Sequence, residues 1–373
     1  MRPSLASLLG GAAALSTLWF SGAAVSAAPS VELETDPPLS DVIPFSRPTT
    51  LALTALDDSG QPLEDANFDL TLLTPPKTPW WTSDFPIVEG TTLLELTLPA
   101  PEGTAQFQNT MPIRGTYQLQ VSVTPQVPGS FEPYIETLTL KVPENPVKYR
   151  NVAILLSILF MVGLGGGWII GGEQTVIAGE TAPRRVQWLL SGAALTAIAV
   201  MLYISITAER ADAHASGHDD AQPEVVETEP VPEDIIAEID DQAIATVGQM
   251  IPLAVTAADA SGEPLDNAVL DVEVRSVEYG RAVTNFTAQT DAEGEFTWQQ
   301  QFVDGAPHQI IVDVAPASGD EGEFTPFTLS KTIDVNGVAP PVSTRIISLS
   351  YFTLFLAMGM GTGYWLKQRV SGV

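Results

Sequence analysis

The sequence predicts an all-β protein anchored by transmembrane α-helices, with two duplicated β-sandwiches and three membrane spans. Residues 51–70 read LALTALDDSGQPLEDANFDL, and residues 253–272 repeat the pattern as LAVTAADASGEPLDNAVLDV. Each copy alternates apolar and polar residues on both sides of a Ser-Gly turn, which is typical of two half-buried strands joined by a tight turn. Three long apolar runs flank or separate the two polar regions that contain these copies. Internal similarity of this kind indicates a duplicated domain.

The composition narrows the possible classes of function. The chain has 373 residues, a formal net charge of -29 and no cysteine. Such an acidic surface repels nucleic acid, so no nucleic-acid partner is predicted. The lack of cysteine excludes disulfides, cysteine nucleophiles and thiolate metal sites.

Residues 1–27 fit a secretory signal peptide, with Arg2 at the positive end, an apolar stretch and a small-residue cleavage pattern that ends at Ala27. The alternative is an uncleaved membrane anchor, and in both cases the segment that follows is exported. Residues 28–147 and 242–340 predict the two periplasmic β-sandwiches, because short period-2 runs recur there between Pro, Gly and Asp.

Three apolar segments are long enough to cross a bilayer, at residues 151–172, 187–207 and 345–366. The loop 173–186 contains Arg184 and Arg185, and the tail 367–373 is also basic, so both are predicted to be cytoplasmic. The middle span is predicted to return the chain to the periplasmic side of the membrane, so that both sandwiches lie in the periplasm. Residues 208–241 form an acidic linker. The predicted location is a bacterial inner membrane, crossed several times.

Glycines recur on one face of the first span and again in the third span. The residues are Gly163, Gly167 and Gly171 in the first span and Gly359 and Gly363 in the third. Small residues at four-residue steps let a second helix approach closely, so we expect the two spans to pack through these faces. The alternative is the general enrichment of glycine in membrane helices.

The three histidines are the candidate metal ligands. His214 and His218 lie in HASGHDD, where two imidazoles and neighbouring carboxylates could hold copper, nickel or zinc weakly. The alternative is a solvated linker. His308 stands where the first copy has Tyr117, and a lone histidine there is expected at the surface. No resident cofactor is predicted.

Trp80 and Trp81 are the candidate residues for binding a partner. They lie in TPPKTPWWTSDFP, a Pro-bounded loop that the second copy lacks. Paired tryptophans suit a contact with another protein or with the membrane interface. The alternative is that one ring caps the sandwich core.

The repeated pattern resembles bacterial immunoglobulin-like modules, including carboxypeptidase-regulatory-like, FixH-like and copper-resistance-C-like exported sandwiches. The residues that carry it are Asp57, Gly60, Pro62, Ala66, Asp259, Gly262, Pro264, Ala268, Thr290, Asp291 and Gly294. The resemblance implies the fold class and not a particular function. The order of sandwiches and spans also resembles the B subunit of copper membrane monooxygenases, whose histidine ligands have no counterpart here.

We expect a non-enzymatic function, because the sequence has no Ser/His/Asp arrangement and no phosphate-binding loop. Carboxylates are abundant, but the sequence alone does not pair any two of them for acid/base catalysis. We expect a membrane-anchored, exported tandem scaffold or an accessory subunit of a membrane complex. Its partners would be the lipid bilayer and one or more membrane proteins, with a basic periplasmic protein as a further candidate. The rival hypothesis is a copper or nickel handling protein that uses the three histidines.

Overall fold

The computed structural model describes residues 28–78, 80, 83–172, 186–188, 192, 231–232, 235–241, 245–317 and 324–370. The predicted signal peptide, nearly all of the predicted middle span and most of the acidic linker lie outside these residues. Trp81, His214 and His218 also lie outside them.

The N-terminal half consists of seven strands followed by a helix. The strands are β1 (Ser30–Asp36), β2 (Thr49–Leu56), β3 (Ala66–Leu73), β4 (Thr92–Ala100), β5 (Thr104–Asn109), β6 (Gly115–Pro125) and β7 (Tyr134–Val142). A short 3-10 turn, Leu39–Asp41, follows β1. The helix α1 (Pro146–Ile170) begins at Asn145, whose side chain accepts a 2.9 Å hydrogen bond from the backbone N–H of Val147. This is an N-cap, and it fixes where the helix starts.

The C-terminal half repeats this order with two additional short strands. The strands are β8 (Ile235–Asp241), β9 (Ala245–Thr246), β10 (Met250–Asp259), β11 (Val269–Ser276), β12 (Arg281–Gln289), β13 (Glu295–Gln301), β14 (His308–Ala315), β15 (Phe327–Ile333) and β16 (Val335–Asn336). The helix α2 (Val342–Val370) follows. Within the described part of the chain, α1 and α2 are the two helices long and apolar enough to cross a membrane.

The strands form two large antiparallel sheets, which confirms the prediction of a mostly β protein. One sheet has the order β1-β2-β5-β12-β11-β14-β15, and the other has the order β7-β6-β3-β4-β13-β10-β8. Strands β9 and β16 form a small parallel pair. Each large sheet therefore joins three strands of one half to four strands of the other. The two halves are one continuous double sheet, a joining that the sequence did not indicate.

The two halves pair at their strand edges because an unpaired edge exposes a row of backbone hydrogen-bonding groups. In one sheet β5 pairs with β12, with Phe107 opposite Phe286. In the other sheet β4 pairs with β13, with Glu95 opposite Gln299. We call these two pairings the seam. At each of the two pairings, a strand of one half covers a strand edge of the other half that would otherwise be open.

A buried polar network ties the two sheets together at the seam. The hydroxyl of Thr284 donates to the side-chain oxygen of Asn109 at 2.9 Å, and the amide of Gln300 donates to that hydroxyl at 3.2 Å. All three side chains are almost fully buried. Buried polar groups are costly unless paired, so this network favours one register of the halves over alternatives.

The repeated Asp-x-Ser-Gly motif is a turn. The Asp57 carboxylate accepts backbone hydrogen bonds from Ser59 and Gln61, each at 2.8 Å, and Gly60 adopts a positive φ of 78°. Asp259 makes the same bonds in the second copy. The hydrogen bond from the Gln61 backbone, more than any other cause, lowers the pKa of the Asp57 carboxyl. The motif that carries the resemblance is thus explained by turn geometry.

Tyr117 makes a hydrogen-bonded corner in the first half. Its hydroxyl donates to the carbonyl of Ile113 at 2.6 Å and accepts from the Ile113 N–H at 2.9 Å. The ring is fully buried, and burial raises the pKa of the hydroxyl well above its usual range. A tyrosine near the start of this strand that bonds back to the backbone is a feature of immunoglobulin-like sandwiches.

Candidate functional site

The loop between β3 and β4 carries Trp80 to the surface beside α2. The Trp80 side chain is 71% exposed, so it does not cap the core. Its backbone carbonyl accepts a 3.0 Å hydrogen bond from the Tyr351 hydroxyl of α2. The loop is therefore attached to the helix while its indole ring faces outward.

The loop is also held by one contact within itself and by one contact with the sandwich. Within the loop, the backbone N–H of Ser83 donates to the Glu89 carboxylate at 2.7 Å, and that carboxylate is buried. The ring of Phe85 packs against Phe45, which precedes β2, with their centroids 4.8 Å apart. These contacts restrict the loop at the positions that flank Trp80.

A chain of ion pairs connects the loop, α1 and the sandwich. The Lys148 ammonium lies 2.7 Å from Asp84 on the loop and 3.4 Å from Glu144. Glu144 in turn pairs with Arg114 at 2.7 Å, and the Glu144 side chain is only 4% exposed. Because Glu144 is buried between two cations, removing either partner would leave a poorly solvated carboxylate.

Between the loop and the first turns of both helices lies a groove of about 500 Å³. We call it the loop–helix groove. Its rim includes Trp80, Asp84 and Lys148. Its walls come from both helices and include Val152, Leu156, Ile347, Ser348, Phe352 and Phe355. The site therefore combines an exposed aromatic ring, one ion pair and an apolar interior.

The predicted glycine faces lie at the contact between α1 and α2. Gly163, Gly167, Gly359 and Gly363 are buried. A Cβ atom on Gly167 would overlap the Met360 carbonyl oxygen, and one on Gly363 would overlap the Leu164 carbonyl oxygen. A Cβ on Gly171 would lie 3.0 Å from the Tyr364 carbonyl oxygen. The two helices run parallel, and the backbones approach too closely for any larger residue at the buried positions.

His308 is buried, so the expectation that it lies at the surface is wrong. It stands at the corner position that Tyr117 has in the first half, and its Nδ1 lies 2.8 Å from the Ala306 carbonyl oxygen. Its Nε2 lies 3.5 Å from the Asp304 carboxylate, and its ring packs on Phe302 with centroids 4.6 Å apart. Like Tyr117, His308 is a buried ring at the start of its strand that contacts a backbone carbonyl a few residues upstream.

No group of three or more potential metal ligands occurs among the residues that the structure describes. The metal hypothesis for His214 and His218 stays a prediction, because both lie outside the described ranges.

Burial lowers the pKa of His308, and the nearby Asp304 charge opposes that shift. A histidine in the unfolded chain titrates near 6.5, so below about pH 6.5 the unfolded state binds more protons than the folded state. We expect stability to fall as the pH drops through this window, by up to about 1.4 kcal/mol per pH unit for this group. Thermal unfolding of wild type and His308→Gln between pH 7.5 and 5 measures the difference. Parallel pH profiles would contradict the prediction.

Sequence reasoning missed the side chains that fix the site. Arg281 donates to the Phe45 and Ser46 carbonyl oxygens at 2.7 and 2.6 Å, and so links β12 to the first half. Its guanidinium also lies 4.8 Å from the centroid of the Phe45 ring and 5.0 Å from that of Tyr279. Its position at the start of a strand gave no sign of this role. Lys148 and Tyr351 belong to no sequence pattern that would place them beside the loop.

No protein-family model matches the chain, and no curated protein matches it. Among solved structures it is similar to a CARDB domain from Pyrococcus furiosus in complex with two metal ions, at 14% identity and a TM-score of 0.21, over 28% of this chain and 94% of that one. A PmoD soluble domain from a Methylocystis species matches at 19% identity and a TM-score of 0.21, over 31% of this chain and 98% of that one.

The adhesin InvE of Yersinia pseudotuberculosis matches at 14% identity and a TM-score of 0.20, over 83% of this chain and 60% of the adhesin chain. TM-scores this low do not define an overall similarity. The strand pairing described above therefore establishes the fold.

Proposed function

We propose that the chain is an exported, membrane-anchored scaffold that holds a partner membrane protein beside the bilayer, without catalysis of its own. The observation that carries the proposal is the exposed Trp80 ring on a loop that is hydrogen-bonded to α2 and packed on the sandwich through Phe85 and Phe45. An aromatic anchor that is fixed before binding loses little conformational entropy when a partner covers it.

The two helices support membrane anchoring. Tyr149 and Trp168 lie near opposite ends of α1, about 29 Å apart at 1.5 Å per residue. That separation matches a hydrocarbon core of about 30 Å with aromatic residues at both interfaces. At the far end, Arg369 lies 3.9 Å from the Trp365 ring centroid and Lys367 lies 5.3 Å from that of Trp168. Basic residues at this end favour a cytoplasmic location for it.

The parallel arrangement of α1 and α2 supports the proposed topology. Both helices leave the double sheet in the same direction, so the chain between them has to return across the membrane. The apolar segment 187–207 has the composition for that crossing. Both halves of the double sheet would then lie in the periplasm.

A reporter active only in the periplasm, fused after Val373, should be inactive, while the same reporter inserted at Val127 should be active.

The charge of the chain favours one kind of partner. With a net charge of -29, the exported surface attracts a basic protein and repels an acidic one. Association would be salt-sensitive, because exposed charges are screened within about 8 Å at physiological ionic strength.

Trp80→Ala tests the scaffold. We expect loss of partner co-purification in mild detergent, by a factor of roughly 30, since truncating such an anchor typically costs about 2 kcal/mol. The thermal midpoint should stay unchanged, because the ring is exposed. Ile135→Ala is the matched control, with a large apolar side chain that is 76% exposed on β7. An unchanged co-purification in Trp80→Ala, or equal losses in the two variants, would reject this loop as the contact.

A further inference from the structure

We propose that one phospholipid with an ethanolamine headgroup occupies the loop–helix groove, with an acyl chain against the helix walls. The inference rests on the membrane anchoring proposed above, because only an inserted helix pair presents the groove to lipid. It adds a specific ligand to the site that carries Trp80.

The groove changes from ionic to apolar along its length. At the rim, Asp84 and Lys148 form an ion pair at 2.7 Å, whereas the inner walls include Leu156, Phe352 and Phe355. Lys148 and Leu156 are separated by about 12 Å along α1 at 1.5 Å per residue. A phospholipid has the same order of chemistry, with a charged headgroup followed by an apolar chain. The groove therefore matches an amphipathic ligand in a fixed orientation.

The charges at the rim favour a zwitterionic headgroup. Lys148 contacts Asp84 and Glu144, and Glu144 also contacts Arg114, so two cations face two carboxylates. The Asp84 side chain is 64% exposed and that of Lys148 is 23% exposed, which leaves both accessible to a ligand. A phosphate would accept from Lys148, and a primary ammonium would donate to Asp84. An anionic headgroup would bring only negative charge to a strongly acidic chain.

The exposed charge at the rim distinguishes lipid from a helix. A transmembrane segment presents mainly apolar side chains, and these offer the Asp84 carboxylate no donor. A phospholipid brings a charged headgroup to the same position and an acyl chain to the apolar walls. We therefore assign the groove to lipid and not to a transmembrane segment.

The test uses the full chain reconstituted in vesicles with equal amounts of phosphatidylethanolamine and phosphatidylglycerol. The protein is extracted in mild detergent, and retained lipid is counted by native mass spectrometry. We expect one phosphatidylethanolamine per chain, enriched over phosphatidylglycerol by roughly threefold, the discrimination expected of partly exposed charges. A chain that retains no lipid, including one whose segment 187–207 fills the groove, overturns the proposal. Preferential retention of phosphatidylglycerol also overturns it.

Two variants and a control make the test specific to the groove. Ser348→Trp adds an indole ring inside the groove from an exposed position, so retention should be lost. Ile346→Trp adds the same ring about 200° away around α2 and should leave retention unchanged. Asp84→Asn leaves the helices intact and should abolish the preference for phosphatidylethanolamine. Equal retention in Ser348→Trp and wild type, or an unchanged preference in Asp84→Asn, contradicts the assignment.

Experiments on the same vesicles test the lipid site and the membrane anchoring separately. If alkaline extraction releases the chain from the membrane, the anchoring and the lipid site fail together. If the chain stays in the membrane but retains no lipid, only the lipid site fails. Partner co-purification by wild type and Trp80→Ala is read independently of both.

Discussion

Gly167→Leu is expected to force α1 and α2 apart. Any Cβ at Gly167 overlaps the carbonyl oxygen of Met360, and it would lie 2.8 Å from the backbone nitrogen of Tyr364. Backbone atoms of a helix cannot rotate away as a side chain can. We expect a loss of about 3 kcal/mol, the upper end for overpacking in a well-packed contact. In mild detergent the thermal midpoint should fall by roughly 6 to 12 °C.

Gly165→Leu is the matched control for this prediction. Gly165 lies two residues earlier on the same helix, and a Cβ there meets nothing within 4 Å. The two variants add the same side chain to neighbouring positions, so helix propensity and hydrophobicity cancel in the comparison. Gly363→Leu should reproduce the effect from the other helix, because its Cβ would overlap the Leu164 carbonyl oxygen. Equal midpoints for Gly167→Leu and Gly165→Leu would show that the helices do not depend on close approach.

Local features of this fold could be read from the sequence. The strand alternation in β2 and β10 is visible because one face is buried and the other is not, which produces a period of two. The glycine spacing was visible because a four-residue step keeps small residues on one helix face. The Ser-Gly turn was visible because its geometry depends on residues within five positions of one another. In each case the structure depends on residues that are close in sequence or regularly spaced along it.

The seam could not be predicted from the same sequence. Asn109 and Thr284 read as ordinary polar strand residues, and their bond joins positions far apart in the chain. Which edges pair depends on how two completed halves meet, and alternation alone does not specify it. His308 was misjudged for a related reason. A corner position is buried by neighbouring loops, and no periodic pattern marks such loops.

The candidate site was only partly visible. Trp80 stood out because a large aromatic residue in a Pro-rich loop has no local structural role. The groove beside it could not be seen, since Asp84, Lys148 and Tyr351 come from a loop and two helices distant in sequence. Its ionic rim became evident only when the distance from Lys148 to Asp84 was known.

Phe286→Ala is expected to destabilise both halves of the double sheet together. Phe286 is 1% exposed, stands opposite Phe107 across the seam, and packs on Phe296 and Trp298 with ring centroids 5.8 and 5.7 Å away. Removing the ring leaves a cavity in the shared core, which costs about 3 to 5 kcal/mol. Phe286→Leu, which keeps most of the volume, should cost less.

Hydrogen exchange followed by mass spectrometry distinguishes a shared core from two independent sandwiches. Amides in core strands exchange only when their whole cooperative unit opens. A single cooperative unit therefore shows one free energy of opening in all of its central strands. In Phe286→Ala we expect protection in β3 of the first half and in β11 of the second half to fall by the same amount. Ile135→Ala, at an exposed position on β7, should change neither. Loss of protection confined to β11 would mean that the halves unfold separately, and that pairing at the seam does not couple them.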